Sequence, residues 1–228
     1  MASMVVRGAV IGALVGIMLT VLVAVSGWPH ARQSVDRSAP NSAAHRRDAK
    51  AFADAWERSL RGTWYVSFDF SRRLADGRTL TSGGTSAQRP PDRLTVQFGA
   101  LTGRLGGRLI DCTPTPGAPS TLQCKNGEPA LDYEAEVKRD VDRIKTYVGG
   151  ALPIYVVDRD GRRCFKLRKQ LNVVSPPYGD TARFCFDEAT GAITDVAIER
   201  PGVLDTQTAV TVRADVADVD LELPPGVG

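Results

Sequence analysis

The chain has 228 residues, of which 43% are hydrophobic and 24% charged, so most of it can offset its ordering entropy by burial and wholesale disorder is excluded. Its 29 basic and 26 acidic residues nearly cancel to a formal charge of +3. No block of Lys and Arg interleaved with aromatics appears, which excludes a nucleic-acid binder working through a strong positive field.

Residues 8–28, GAVIGALVGIMLTVLVAVSGW, carry no charge. At about 1.5 Å per residue they are long enough to cross a hydrocarbon core of about 30 Å, and they read as a transmembrane anchor behind a short cytoplasmic N-terminus, residues 1–7. A cleaved signal peptide competes, because Arg7 supplies a positive start and Ala24 with Ser26 meets the small-residue rule for cleavage. Two features favour the anchor. The run exceeds the usual signal core of about 7–15 residues, and Trp28 stands where an interfacial aromatic would hold a spanning helix. Arg7 precedes the span while Arg32, Arg37, Arg46 and Arg47 follow it, so the positive-inside rule taken alone would leave the large domain in the cytoplasm. The cysteines below argue for the opposite side, an extracytoplasmic domain on a single-pass protein of the cell membrane.

Residues 29–47 are rich in Ser, Ala, Pro and Arg and lack apolar periodicity, which describes a flexible linker. Both histidines, His30 and His45, fall in it and are expected to be solvated. From Asp48 onward Phe52, Ala55, Trp56 and Leu60 recur at helical spacing, with Asp48 as the expected cap and Gly62 past the end. A helix over 48–61 follows. The domain is expected to span 48–228.

Trp64, Val66, Phe68 and Phe70 alternate with Tyr65, Ser67, Asp69 and Ser71, the period of a half-buried strand. A hairpin turn over 75–78, a return strand over 78–86 and an extended bend at Pro90-Pro91 continue an antiparallel meander into strands over 94–98 and 104–112. Residues 113–129 read as a loop. A second amphipathic helix over 132–147 places Tyr133, Val137, Val141, Ile144 and Val148 on one stripe, with Glu134 and Lys138 as an exposed pair. Strands are then expected over 154–158, 163–167, 182–186 and 192–199, and a last one over 208–223 that includes ADVDLEL.

Cys112, Cys124, Cys164 and Cys185 form an even set that permits three pairings. Zinc sites need closer clusters with nearby His, so neither a metal nor another cofactor is expected. The favoured pairing is Cys112–Cys124 across a loop and Cys164–Cys185 across two β segments, each worth roughly 2–4 kcal/mol. Free thiols in a cytoplasmic protein are the alternative.

No Gly-x-Ser-x-Gly elbow, His-Glu-x-x-His, phosphate loop or dinucleotide fingerprint occurs in its structural context, and an enzyme is not expected. Asp158 with Asp160 and Asp187 with Glu188 are close in sequence but border Gly turns, where Asp serves the turn.

The α+β order of a helix, antiparallel strands, a second helix and a final strand ending in DLELP resembles the half-barrel of LolA-type lipoprotein carriers and of the N-terminal domain of RseB-like regulators. The phrases QRPPDRL and CFKLRKQ fit equally a family of anchored, exported bacterial proteins. The half-barrel resemblance implies a curved sheet with two helices in its hollow and an apolar cavity for a lipid, lipoprotein or other hydrophobic ligand. Trp56, Trp64, Phe68, Tyr133 and Val137 are the candidate lining. An envelope sensor or scaffold that binds another protein, with a filled core, is the competing expectation.

Overall fold

In the computed structural model the described residues are 42–125 and 127–223; the apolar stretch 8–28 and most of the expected linker lie outside them. Among the described residues no helix is long and apolar enough to cross a membrane.

Helix α1 (Ala43–Arg61) starts at Ala43, not at Asp48. Ser42 caps it, its hydroxyl accepting the His45 backbone N–H at 3.0 Å, and Asp48 is instead buried inside the helix. His45 is therefore not a solvated linker residue. It is 5% exposed, and its Nδ1 accepts the Val157 backbone N–H at 3.2 Å. The buried stripe of α1 begins with the polar His45 and Asp48, which is why apolar periodicity alone starts the helix a turn late.

Six strands follow: β1 (Trp64–Leu74), β2 (Thr79–Arg89), β3 (Asp92–Gln97), β4 (Ala100–Leu105), β5 (Arg108–Thr115) and β6 (Ala118–Cys124). After α2 (Tyr133–Val148) come β7 (Tyr155–Arg159), β8 (Cys164–Lys169), β9 (Thr181–Phe186), β10 (Ile193–Arg200) and β11 (Val203–Arg213). All eleven form one curved, open antiparallel sheet in the order β6-β5-β4-β3-β2-β1-β11-β10-β9-β8-β7. Consecutive strands pair within β1 to β6 and within β7 to β11, β6 and β7 form the two edges, and at the centre β1 meets β11 from Tyr65–Arg213 to Leu74–Val203.

Helix α1 and the C-terminal part of α2 lie over the β7–β10 half, while Tyr133, Glu136 and Val137 at the start of α2 border Gln88 and Arg104 of the other half. Phe52 of α1 and Ile144 and Val148 of α2 pack with Tyr155, Val157, Phe165, Leu167, Phe184 and Phe186. The Phe52 ring meets the rings of Phe165 at 5.5 Å and Phe184 at 5.8 Å, and Trp56 meets Phe184 at 5.4 Å. On the opposite face of the other half, Ala87, Leu94, Leu101 and Cys112 form a second cluster closed by Leu221. Arg213 lies 4.0 Å over the Tyr65 ring and pairs with Asp220 at 2.9 Å, pinning that closing segment.

Four further expectations change. Residues 104–112 are not one strand, because Gly106 and Gly107, at φ 54° and 75°, make the two-residue turn between β4 and β5 that needs positive φ at both positions. The expected loop over 113–129 contains β6. The last strand stops at Arg213, and ADVDLEL contains a 3₁₀ turn, Asp218–Leu221, whose Asp220 carboxylate accepts the Ala217 N–H at 2.9 Å. Glu134 pairs with Arg61 at 2.8 Å and Lys138 with Asp142, so the exposed Glu134–Lys138 pair does not form. Cys112 and Cys124 stand opposite each other on β5 and β6 and are bonded, as are Cys164 and Cys185 on β8 and β9.

Phe52 has no exposed surface, and its ring meets those of Trp56 on α1, Phe165 on β8 and Phe184 and Phe186 on β9. Phe52→Ala is expected to destabilise the domain by about 3–5 kcal/mol, read as a lowered urea midpoint with an unchanged slope.

Candidate functional site

The five candidate lining residues do not surround one cavity. Trp56 packs among Phe52, Tyr178, Phe184 and Phe186. Trp64 and Phe68 belong to a β1 cluster with Val66, Phe70 and Ala192, and Tyr133 with Val137 borders Leu60. The polar ends are already used. The last carbonyls of α1 lack helical partners, and Trp64 Nε1 donates to Ser59 O at 2.9 Å while the Tyr133 hydroxyl donates to Leu60 O at 2.8 Å. Gln88 Nε2 lies 2.8 Å from the carbonyls of Ser59, Leu60 and Gly62. The space these residues leave, bounded by Leu60, Gln88, Arg104, Tyr133 and Val137, is about 20 Å³, enough for one water. A larger cleft of ≈ 550 Å³ opens at the end of α1 and is lined by Asp54, Glu57, Arg58, Arg61 and Thr190 rather than by aromatics.

The β2–β5 half of the helix-bearing face has a different chemistry. Strand register carries that face from Val66 through Ser86, Thr95 and Thr102 to Asp111, and in the next rows from Trp64 through Gln88 and Arg93 to Arg104, and from Phe68 through Gly84 to Gln97. Gly84 is required because a Cβ there would come within 2.5 Å of the Phe68 ring. Ser86 and Thr95 share a hydrogen bond of 2.8 Å, and Arg104 donates to Leu131 O at 2.7 Å and to Glu136 at 3.0 Å. Three buried polar atoms on it, Ser82 Oγ, Gln97 Nε2 and Arg104 Nε, have no hydrogen-bond partner. Sequence reasoning missed this polar face. The signal was present in TSGGTSAQR, where Ser82, Gly84, Ser86 and Gln88 occupy alternate positions.

The sequence-paired carboxylates serve turns and cross-strand ion pairs. Asp187 accepts the backbone N–H groups of Thr190 and Ala189, and the Thr190 N–H above all holds its carboxyl below the usual range. Asp158 pairs with Arg168 at 3.0 Å, Asp160 with Arg183 at 2.6 Å and Glu188 with Arg162 at 2.9 Å. Burial pushes the Tyr155 and Tyr178 phenols up, and the Tyr155 hydroxyl accepts the Tyr178 N–H at 2.7 Å and donates to Gly179 O at 3.1 Å. Among the described residues no group of three or more His, Cys, Asp or Glu side chains could hold a metal ion.

No family model and no curated protein matches the sequence. Solved structures similar to this one include MucB in the Pseudomonas aeruginosa MucA/MucB complex, at 12% identity and a TM-score of 0.45 over 78% of this chain and 61% of that one. A LolA superfamily protein from Nitrosomonas europaea is similar at 7% identity and a TM-score of 0.33, covering 77% of this chain and 98% of that chain. LprF from Mycobacterium bovis is similar at 10% identity and a TM-score of 0.36, covering 79% and 98%. The resemblance to LolA-type half-barrels is one of fold. This chain spans less than two thirds of the MucB chain.

Gln88→Ala removes the donor that serves the end of α1, and a loss of about 1–3 kcal/mol in urea unfolding is expected. Asp140, buried on α2, has its carboxyl pushed up by that burial, which Arg143 and Arg139 only partly offset. A folded-state pKa above the unfolded one means that stability falls as pH rises through the folded value. Asp140→Asn should therefore match the parent near about pH 3 and exceed it near about pH 7 in urea midpoint.

Proposed function

We propose that this chain is a binding protein, not an enzyme, held on the outer side of a membrane by residues 8–28, and that its ligand is a segment of another protein laid on the polar half of the helix-bearing face. The observation that carries this reading is the contrast between the two halves. The apolar half is filled by Phe52 and Trp56. The other half is polar: Gln88, Thr95, Gln97 and Arg104 are buried in it, and Ser86 and Thr102 are the half-buried hydroxyls it leaves within reach. An acyl chain laid there would strip water from Ser86 and Thr102 without returning a hydrogen bond, whereas a polypeptide can return one to each. The two disulfides support an oxidising compartment.

A lipid carrier is the second reading, carried by the half-barrel layout alone. A photo-crosslinking residue in place of Thr102, half-buried on the polar face, separates the two in intact cells. A discrete protein adduct is expected; an adduct whose added mass is that of a lipid would overturn the proposal.

A further inference from the structure

One row of the sheet runs across the helix-bearing face from Leu80 through Arg72, Asp205, Ile198, Ala182 and Leu167 to Val157. Val157 is the residue whose backbone N–H is held by His45, three residues after the α1 cap. The described chain thus begins at the same end of the strands as the β1–β2 turn, the β3–β4 turn, the β8–β9 loop and the β10–β11 turn. Residues 29–41, which join it to the uncharged stretch, reach at most about 45 Å when fully extended.

That same end gathers exposed apolar side chains. Leu80 is 52% exposed, Phe98 51%, Leu152 60% and Val174 88%, and each lies on a different strand end or loop of this rim. Phe98 is held outward at φ 51° with its ring against Phe70 at 5.4 Å. The rim also carries a small excess of positive charge, with Arg72, Arg73, Arg78, Lys169 and Arg200 against Asp76, Asp180, Glu199 and Asp205. Arg72 at 2.6 Å and Arg200 at 2.7 Å share the single carboxylate of Asp205, leaving that trio with a net positive charge. Arg73 is exposed beside them, and Arg47, exposed at the start of α1, pairs with Asp48 at 3.3 Å.

We propose that this rim docks edge-on against an anionic lipid surface, with the arginines at the headgroups and Leu80, Phe98, Leu152 and Val174 in the interface. Amphiphilic rims of this kind bind by apolar insertion combined with attraction to acidic lipid. Docking would fix the polar half of the sheet upright from the membrane, open to a partner. The inference rests on residues 8–28 entering the bilayer.

Hydrogen exchange by mass spectrometry on the full chain in nanodiscs tests it, comparing phosphatidylglycerol with phosphatidylcholine. Amides of 75–80, 97–100 and 172–177 should exchange at least about fivefold more slowly in phosphatidylglycerol, while those of 129–132 and 217–220, at the far end, should not change. Leu80→Glu combined with Phe98→Glu should abolish the slowing with the circular dichroism spectrum intact. Equal rates in both lipids with the chain incorporated would overturn docking and leave the binding reading standing. A chain that does not enter the discs would overturn the anchor and docking together. Slowing that appears in detergent and grows with protein concentration would assign the rim to a second copy of the chain and overturn the proposal.

Discussion

The pairing of β1 with β11 turns two local meanders into one sheet. Each meander, β1 to β6 and β7 to β11, folds through chain-neighbour hairpins, and only this central ladder joins the first strand to the last. It closes the longest loop in the domain, a cost set by loop length that side-chain burial must offset. Phe68 and Val66, buried on β1 with Ala209 and Val212 of β11 packed against their cluster, supply that burial. Buried Asp205 on β11, clamped by Arg72 from β1 and Arg200 from β10, fixes the register at the rim end.

From that ladder the asymmetry of the helix-bearing face follows. On one side of it the strands present Val196, Phe184 and Phe165 to the helices, and α1 answers with Phe52 and Trp56. On the other side they present Ser86, Thr95 and Thr102, and the apolar residues of the same strands, Leu94 and Leu101, point to the opposite face beneath Leu221. The apolar layer thus changes sides of the sheet near β1. The helix-bearing face of this curved sheet is therefore filled by aromatics on one side of β1 and polar on the other.

Much of the fold was legible because it is local. The alternation through Trp64 and Phe70, the stripe through Tyr133 and Val148, and the Gly turns each announce themselves within about ten residues. What was hidden depended on tertiary partners. His45 and Asp48 are polar, so nothing in the sequence marks them as the first buried turn of α1 until Val157 arrives to be hydrogen-bonded. ADVDLEL has the alternation of a strand, yet its Asp220 finds the Ala217 N–H and Arg213, and the segment turns to cap the outer cluster instead. Trp64 and Tyr133 invite a ligand-binding reading by type; their polar ends are committed to the carbonyls at the end of α1.

Urea unfolding of a Trp28→Phe variant, followed in parallel by far-ultraviolet circular dichroism, which reports the whole sheet, and by the fluorescence of the remaining Trp56 and Trp64, which reports the helix-covered side and β1, tests the central ladder most directly. If β1 and β11 bind the two meanders into one cooperative unit, the two transitions superimpose. Completion of the fluorescence change while a substantial part of the sheet signal persists would mean that the meanders are stable apart, and would contradict the account.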